Sequence, residues 1–291
     1  MTPGLLVRGV FRSEALRFAF ADTSNLCSQG IVIHDCDPAS GEVLCDLLTA
    51  SALTAVLLDE GEKYSILIDY KGGIAGKWLA DADSECHVRA LPGNIRLSGA
   101  GDADAVFGST PATIRVLKFK QGQVLNSGEV AVSMASPAQD LAMFFNLSDQ
   151  VETQIACTRC FAPDPAAPVK FAAGIMLQAL PDCDLEEFEL MRKKLEAADF
   201  RNLLLQTGAT AEDFAAFLLK SLGADTSLAN LVTAEQSAPR FACRCSRKKL
   251  LDALASIRRE ELDDILRERG ELILHCEFCR QEYRFTEKDL A

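Results

Sequence analysis

The sequence predicts an α+β protein: a mixed sheet-and-helix domain over 1–180, a metastable helical linker over 181–240 and a small cysteine-bearing domain over 241–291. Three observations carry this. Period-two and period-3.6 apolar patterns alternate through the first 180 residues. The composition then turns to charged helix formers, and the last stretch combines balanced charge with four closely spaced cysteines. At 291 residues and 48% hydrophobic, the chain can bury a substantial core.

Extended stretches are expected at Ile31 to His34, Tyr64 to Asp69, Thr113 to Phe119 and Glu129 to Ser133, around a helical run from about Gly41 to Leu58. A second helix is expected from Pro137 to Leu147, with Ser136 as N-cap, Pro137 at the first position and Leu141, Phe144 and Phe145 as its apolar stripe. The glycine-dense Lys71 to Gly76 and the Gly/Ala/Asp-rich Asn94 to Gly108 read as turns between strands. The former lacks the Gly-Lys-Ser/Thr ending and the strand-to-helix setting of a phosphate loop.

From Pro181 to Arg240, acidic residues (11) exceed basic ones (6), and apolar positions recur at Leu185, Phe188, Met191, Leu195, Phe214, Phe217 and Leu218. These read as amphipathic helices with no sheet of their own, whose contact with a neighbouring surface is marginal. Over Phe241 to Ala291 the charges balance at 11 basic and 11 acidic, so the net −12 resides in the first 240 residues. This block reads as a short cysteine-bearing strand, a helix carrying Leu250, Leu251, Leu254 and Ile257, and a second with Leu262, Ile265 and Leu266 stopped by Gly270. A hairpin from Glu271 to Phe285 follows, then a final short helix capped by Thr286 with Asp289 three residues on.

The acidic balance argues against a nucleic-acid backbone or an anionic membrane as main partner. The N-terminus lacks a basic segment leading into an apolar core, so a cytoplasmic protein is expected. In a reducing compartment, eleven cysteines read as metal ligands, redox groups or small core residues, and spacing must decide among these.

The pattern is Cys243-Arg-Cys245, thirty residues, then Cys276-Glu-Phe-Cys279. Two cysteines at i and i+2 on an extended segment point to one side, and a Cys-x-x-Cys turn at a hairpin tip converges two more. Four convergent thiolates suit Zn2+, which takes soft sulfur ligands in a closed tetrahedron. A block this small should fold only when metallated, since structural zinc contributes on the order of 10–16 kcal/mol. Arg244, Arg247, Lys248, Lys249, His275 and Arg280 lie close in sequence and would offset the thiolate charge, with Arg244, His275 and Arg280 in the outer sphere of the site. The spacing alone leaves a static structural clip open. Any bridge between Cys243 and Cys245, about 6.6 Å apart at Cα on a strand, would be strained and so reducible, as suits a switch.

A second pair, Cys157-Thr-Arg-Cys160, precedes Phe-Ala-Pro-Asp-Pro instead of the helix that a dithiol oxidoreductase needs. Cys27, Cys36, Cys45, Cys86 and Cys183 read as small core residues or incidental thiols. His34 and His87 stand alone, so no Ser/His/Asp arrangement is formed and no enzymatic role is expected.

The run Phe241-Ala-Cys-Arg-Cys-Ser246, with Glu261 to Leu266, Arg269 to Glu271, His275-Cys-Glu-Phe-Cys279, Tyr283 and Phe285, closely resembles the redox-regulated heat-shock chaperones known as 33 kDa chaperonins. Ser136 to Gln150, Ala172 to Pro181 and Leu6-Val-Arg8 extend the resemblance over nearly the whole chain. It departs over Glu62 to Gly93, where only Ala80-Asp-Ala-Asp83 and Val88-Arg89 match and Glu85-Cys-His87 replaces a usual glycine; the Cys157 and Cys160 pair is extra. The resemblance implies an ATP-independent holdase of the oxidative stress response that is inactive when reduced and zinc-bound. It implies oxidation of Cys243 with Cys245 and Cys276 with Cys279, loss of zinc, and unfolding of the linker to expose surface for unfolding client proteins. It also allows a homodimer of the oxidised form. The alternative is a constitutive interaction protein with a purely structural zinc ribbon.

Overall fold

A computed structural model describes residues 4–197, 231–255 and 257–289 of the chain, which forms two compact units, Met1–Phe241 and Ala242–Ala291. The first unit opens with the hairpin β1 (Leu5–Phe11) and β2 (Leu16–Asp22), followed by helices α1 (Ser24–His34) and α2 (Pro38–Thr54). Strands β3 (Glu62–Tyr70), β4 (Gly76–Asp83) and β5 (His87–Leu91) form a meander. The short α3 (Ala103–Phe107) precedes the hairpin β6 (Ala112–Lys120) and β7 (Gln123–Val132). Helix α4 (Pro137–Phe144), hairpin β8 (Thr153–Phe161) and β9 (Val169–Ala179), helix α5 (Leu185–Glu196), and strands β10 (Leu231–Gln236) and β11 (Arg240–Phe241) complete it.

Two sheets result, in the orders β10-β1-β2-β9-β8 and β11-β5-β4-β3-β6-β7, antiparallel except where β11 joins β5. One core holds Leu6, Ala21 and Met176 of the first sheet, Ile66, Trp78 and Ile114 of the second, and Leu44, Leu48 and Leu141 of the helices. Helices α1, α2 and α4 therefore fill the space between the sheets. Helix α2 is buried over 13 of its 17 residues, as an all-round apolar helix must be. Pro38–Leu57 is long and apolar enough to cross a membrane, yet 83% of its most apolar window is buried inside the protein.

The other face of the first sheet is also apolar. On β2, Ala19 and Ala21 face the helices while Leu16, Phe18 and Phe20 face away, the period of two expected of a strand. Phe188, Met191 and Leu195 of α5 cover that second face with Val7, Phe11, Ile175 and Leu177. Each such side chain contributes about 1.5–3 kcal/mol on burial.

Several expectations are corrected. Ile31 to His34 is the last turn of α1, not a strand. Its β-branched residues favour extension locally, but Cys27, Ile31 and His34 recur at helical spacing and are buried against α2 and β9. The run expected from Gly41 starts at Pro38, because Asp37 accepts a hydrogen bond from the Ser40 amide, and its α-helical part ends at Thr54, before a 3-10 turn at Ala55–Leu57. The turn at Asn94 to Gly108 contains α3, capped by Asp102. Helix α4 stops at Phe144 and widens into a π turn at Phe145–Asp149, and Ser136 at its N-cap makes no side-chain cap bond. The region 181–240 is not helical throughout: β10 pairs antiparallel with β1 at one edge of the first sheet. Phe214, Phe217 and Leu218 lie outside the described residues.

The second unit contains α6 (Arg247–Leu254), α7 (Arg259–Arg269), the hairpin β12 (Leu272–His275) and β13 (Glu282–Phe285), and a 3-10 turn at Glu287–Asp289. Its core is Leu254, Leu262, Leu272 and Phe285, flanked by Leu250, Leu251, Ile265, Leu266, Leu274 and Tyr283. Ile257 lies beyond the end of α6 and is exposed.

Candidate metal centre

Each element of the second unit has a local reason to deliver its cysteines. Ser246 ends the extended segment bearing Cys243 and Cys245 by capping α6, its Oγ accepting from the Lys249 amide at 3.3 Å. The expected strand is shorter than its cysteines require, since both follow β11 in irregular extended chain. Gly270, at φ 75°, ends α7 in the left-handed conformation that glycine adopts without strain and turns the chain into β12. At the hairpin tip the Cys276 amide donates to the Gln281 carbonyl at 3.0 Å and the Arg280 amide to the Cys276 carbonyl at 2.8 Å. Arg280 takes φ 58° to close this turn.

The result brings four sulfurs together. Cys243 Sγ lies 3.6 Å from Cys276 Sγ, Cys245 Sγ lies 3.4 Å from Cys279 Sγ, and all four ligand atoms fall within 4.8 Å of one another. Four sulfurs each about 2.3 Å from one ion would sit about 3.8 Å apart, so the cluster has the size of a tetrathiolate cage. Among the described residues this is the one group of three or more His, Cys, Asp or Glu side chains so placed, and it could hold a metal ion.

Cys276 is buried and the other three are half-buried. Burial pushes the Cys276 thiol up, and burial together with the neighbouring sulfurs pushes Cys279 up to about 12. Backbone amides oppose this: those of Phe278 and Cys279 donate to Cys276 Sγ, and that of Gln281 to Cys279 Sγ. A divalent cation among the sulfurs would tip the balance to thiolate, and the amides are already aimed to stabilise that form.

Of the cations expected around the site, Arg247, Lys249 and His275 have side-chain partners away from the sulfurs. Arg247 packs over the Phe285 ring at 4.5 Å, pairs with Asp289 at 2.7 Å and donates to the Arg284 carbonyl, so it ties α6 to β13 and the last turn. Lys249 Nζ donates to the Arg244 carbonyl at 2.7 Å, and Arg244 is exposed. His275 is exposed and faces Glu282 across the hairpin, 3.3 Å from its carboxylate. Arg280 is exposed, and the contact described for it is that of its backbone in the turn. Asp289 accepts from the Thr286 amide at 2.8 Å and its hydroxyl at 2.9 Å, closing the cap expected at this end.

Sequence reasoning missed one neighbour of the sulfurs. Tyr283 Oη is 3.1 Å from Cys245 Sγ, and this contact is the main cause pushing the phenol up to about 12. The available signal was its place on the strand leaving the Cys-x-x-Cys turn, four residues after Cys279.

Among the described residues, the remaining cysteines join no second group of three or more metal-ligating side chains. Cys157 packs into the core between the sheets, whereas Cys160 packs into the cluster on the opposite face of β8, so the sheet separates them. Cys27, Cys45 and Cys86 are buried, and Cys36 and Cys183 half-buried. His34 Nε2 lies 3.0 Å from the Ala90 carbonyl, and His87 Nδ1 lies 3.1 Å from Asp83.

With this geometry in hand, comparison with known proteins is decisive. The family model described as Hsp33 protein matches residues 4–286. The chain belongs to the Hsp33 family. Curated Hsp33 relatives include the 33 kDa chaperonin of Clostridium perfringens strain SM101, 27% identical over 98% of this chain and 90% of that one. The 33 kDa chaperonin of Clostridium botulinum strain Alaska E43 is 28% identical over 98% and 96%. The crystal structure of the 33 kDa chaperonin of Thermotoga maritima covers 99% of this chain and 97% of that one with a TM-score of 0.83 at 23% identity, which speaks to the fold. The α+β class and the resemblance read from the sequence both hold, and Hsp33 relatives are named as chaperonins and not as enzymes. The cysteine cluster is compatible with zinc and with redox disulfides.

Proposed function

We propose that the protein is a redox-regulated, ATP-independent holdase chaperone of the cytoplasm, with Cys243, Cys245, Cys276 and Cys279 as zinc ligands and as its switch. The observation that carries this is the convergence of four sulfurs within 4.8 Å in a unit whose core has, among the described residues, four buried apolar side chains. Bound zinc would supply a closed tetrahedral cross-link and no redox chemistry of its own. So small a core depends on such a cross-link to stay folded.

In this reading, peroxide joins Cys243 with Cys245 and Cys276 with Cys279. Two thiolates and one peroxide, with two protons from solvent, give one disulfide and two waters. The four donors are consumed and the second unit loses its cross-link. The linker over 181–240, which connects the domain 1–180 to the zinc domain 241–291, then unfolds. The apolar residues so exposed hold unfolding clients, and the oxidised form pairs as a homodimer. Arg244, His275 and Arg280 act as an outer cationic ring. The acidic chain, at −12, keeps the client complex soluble and disfavours nucleic acid and anionic membranes as partners.

The test treats the zinc-loaded protein with peroxide at elevated temperature and follows zinc release beside light scattering from a thermally unfolding enzyme. Aggregation should be suppressed only after zinc is lost. Equal suppression before and after oxidation would instead mark a constitutive binder with a structural zinc ribbon.

A further inference from the structure

We propose that Tyr283 guards Cys245 against oxidation, and so sets how much oxidant the switch tolerates before the metal is lost. This rests on the zinc and redox reading above. Tyr283 is a positioning residue here, acting through the sulfur that it touches.

Tyr283 Oη lies 3.1 Å from Cys245 Sγ. A metal-bound thiolate carries no proton, so in that state the phenol is the donor and the sulfur the acceptor. The donor is held firmly: the Tyr283 ring packs against the small core of Leu254, Leu262, Leu272 and Phe285, and strand pairing sets Tyr283 opposite Leu274. The hydroxyl is therefore placed by the core and the hairpin, with little ordering left to do when a thiolate forms.

Oxidation requires a sulfur lone pair to attack one peroxide oxygen. The S–O bond forms as the O–O bond breaks and hydroxide leaves, giving a sulfenic acid. A second thiolate then displaces hydroxide from that sulfur and completes the disulfide. A hydrogen bond that stabilises the thiolate makes its lone pair less available for the first step, since nucleophilicity falls as the charged form is stabilised. Loss of the phenol should leave the four donors in place and speed attack at Cys245.

The experiment compares the full zinc-loaded chain with Tyr283→Phe. Expected are undiminished zinc stoichiometry, peroxide-driven zinc release several-fold faster, and a larger share of the earliest trapped sulfenic acid at Cys245 by mass spectrometry. In a second arm, all three tyrosines become 3-fluorotyrosine, a stronger donor of nearly the same shape, and Cys245 oxidation should slow. This arm decides the matter if Tyr283→Phe fails to take up zinc, because the other tyrosines, Tyr64 and Tyr70, lie in the first unit. Unchanged rates and an unchanged Cys245 share would overturn the role of Tyr283 while leaving the switch intact. A wild-type chain that binds no zinc, or keeps it under peroxide, would overturn both.

Discussion

Asp140 shows what a single buried charge does in this fold. It is fully buried on α4, where Tyr70 Oη donates to one carboxylate oxygen at 2.9 Å and the Met134 amide to the other at 3.1 Å. Burial pushes the carboxyl up, and those donors only partly oppose it. Asp140→Ala is expected to cost about 1–3 kcal/mol by leaving two buried donors unpaired. Asp140→Asn, which keeps an acceptor for Met134 and can turn its amide toward the tyrosine oxygen, should cost less. The pH sign follows from the raised value: the native state holds this proton more tightly, so its contribution favours the fold at low pH and fades as pH rises through the folded pKa. Melting temperatures between about pH 3 and 6 should move in favour of Asp140→Asn, relative to wild type, as pH increases. A constant difference would show that Asp140 does not titrate in this window. At the metal centre, Cys276→Ser removes one of four donors, and zinc content measured after purification should fall.

Helix α5 and strand β9 each carry packing that a single substitution can test. Phe188 of α5 is 2% exposed and packs on the outer face of the first sheet. Phe188→Ala should cost about 3–5 kcal/mol locally. Because α5 adds one layer over a sheet already packed on its other face, the loss should appear as faster proteolysis at 185–196 before global melting. On β9, a Cβ at Gly174 would sit 2.6 Å from Thr49 Cγ2 and 3.1 Å from Leu53 Cδ1, so α2 comes this close only to glycine. Gly174→Val is expected to destabilise the first unit by about 1–3 kcal/mol or more, read as a lower denaturation midpoint. Both elements were partly legible in sequence. Phe188, Met191 and Leu195 have helical spacing, but nothing local tells that Gly174 meets a helix more than a hundred residues earlier in the chain.

On the scale of the whole molecule, the two units differ in what holds them. The first has a core spanning two sheets and three helices, whereas the second has, among its described residues, a core cluster of four buried apolar side chains beside its four cysteines in the chain. Removing metal with a strong chelator under reducing conditions should therefore unfold residues 242–291 and, in the reading proposed, the linker over 181–240 with them, while the sheets and helices of residues 4–180 stay folded. A structural site worth on the order of 10 kcal/mol exceeds what so small a core supplies. Hydrogen exchange would show this as lost protection in α6, α7 and the β12–β13 hairpin and in α5 and β10 of the linker, with protection kept in β1–β9. Protection that survives chelation would mean that the second unit folds without metal.

What the sequence by itself determined was the α+β class, the strands β3, β6 and β7, the C-terminal hairpin and the four cysteines. These follow from local periodicity and spacing, which each segment carries within its own residues. Tertiary structure decided the rest. Ile31 to His34 became helix because burial of Cys27 and Ile31 between α2 and β9 outweighs β-branched preference, and β10 became a strand because β1 offers it an edge. Opposite faces of β8 separate Cys157 from Cys160, and the hairpin register carries Tyr283 to Cys245. Each of these depends on which distant segments meet, and a hydrogen bond or a packed face exists only once they do.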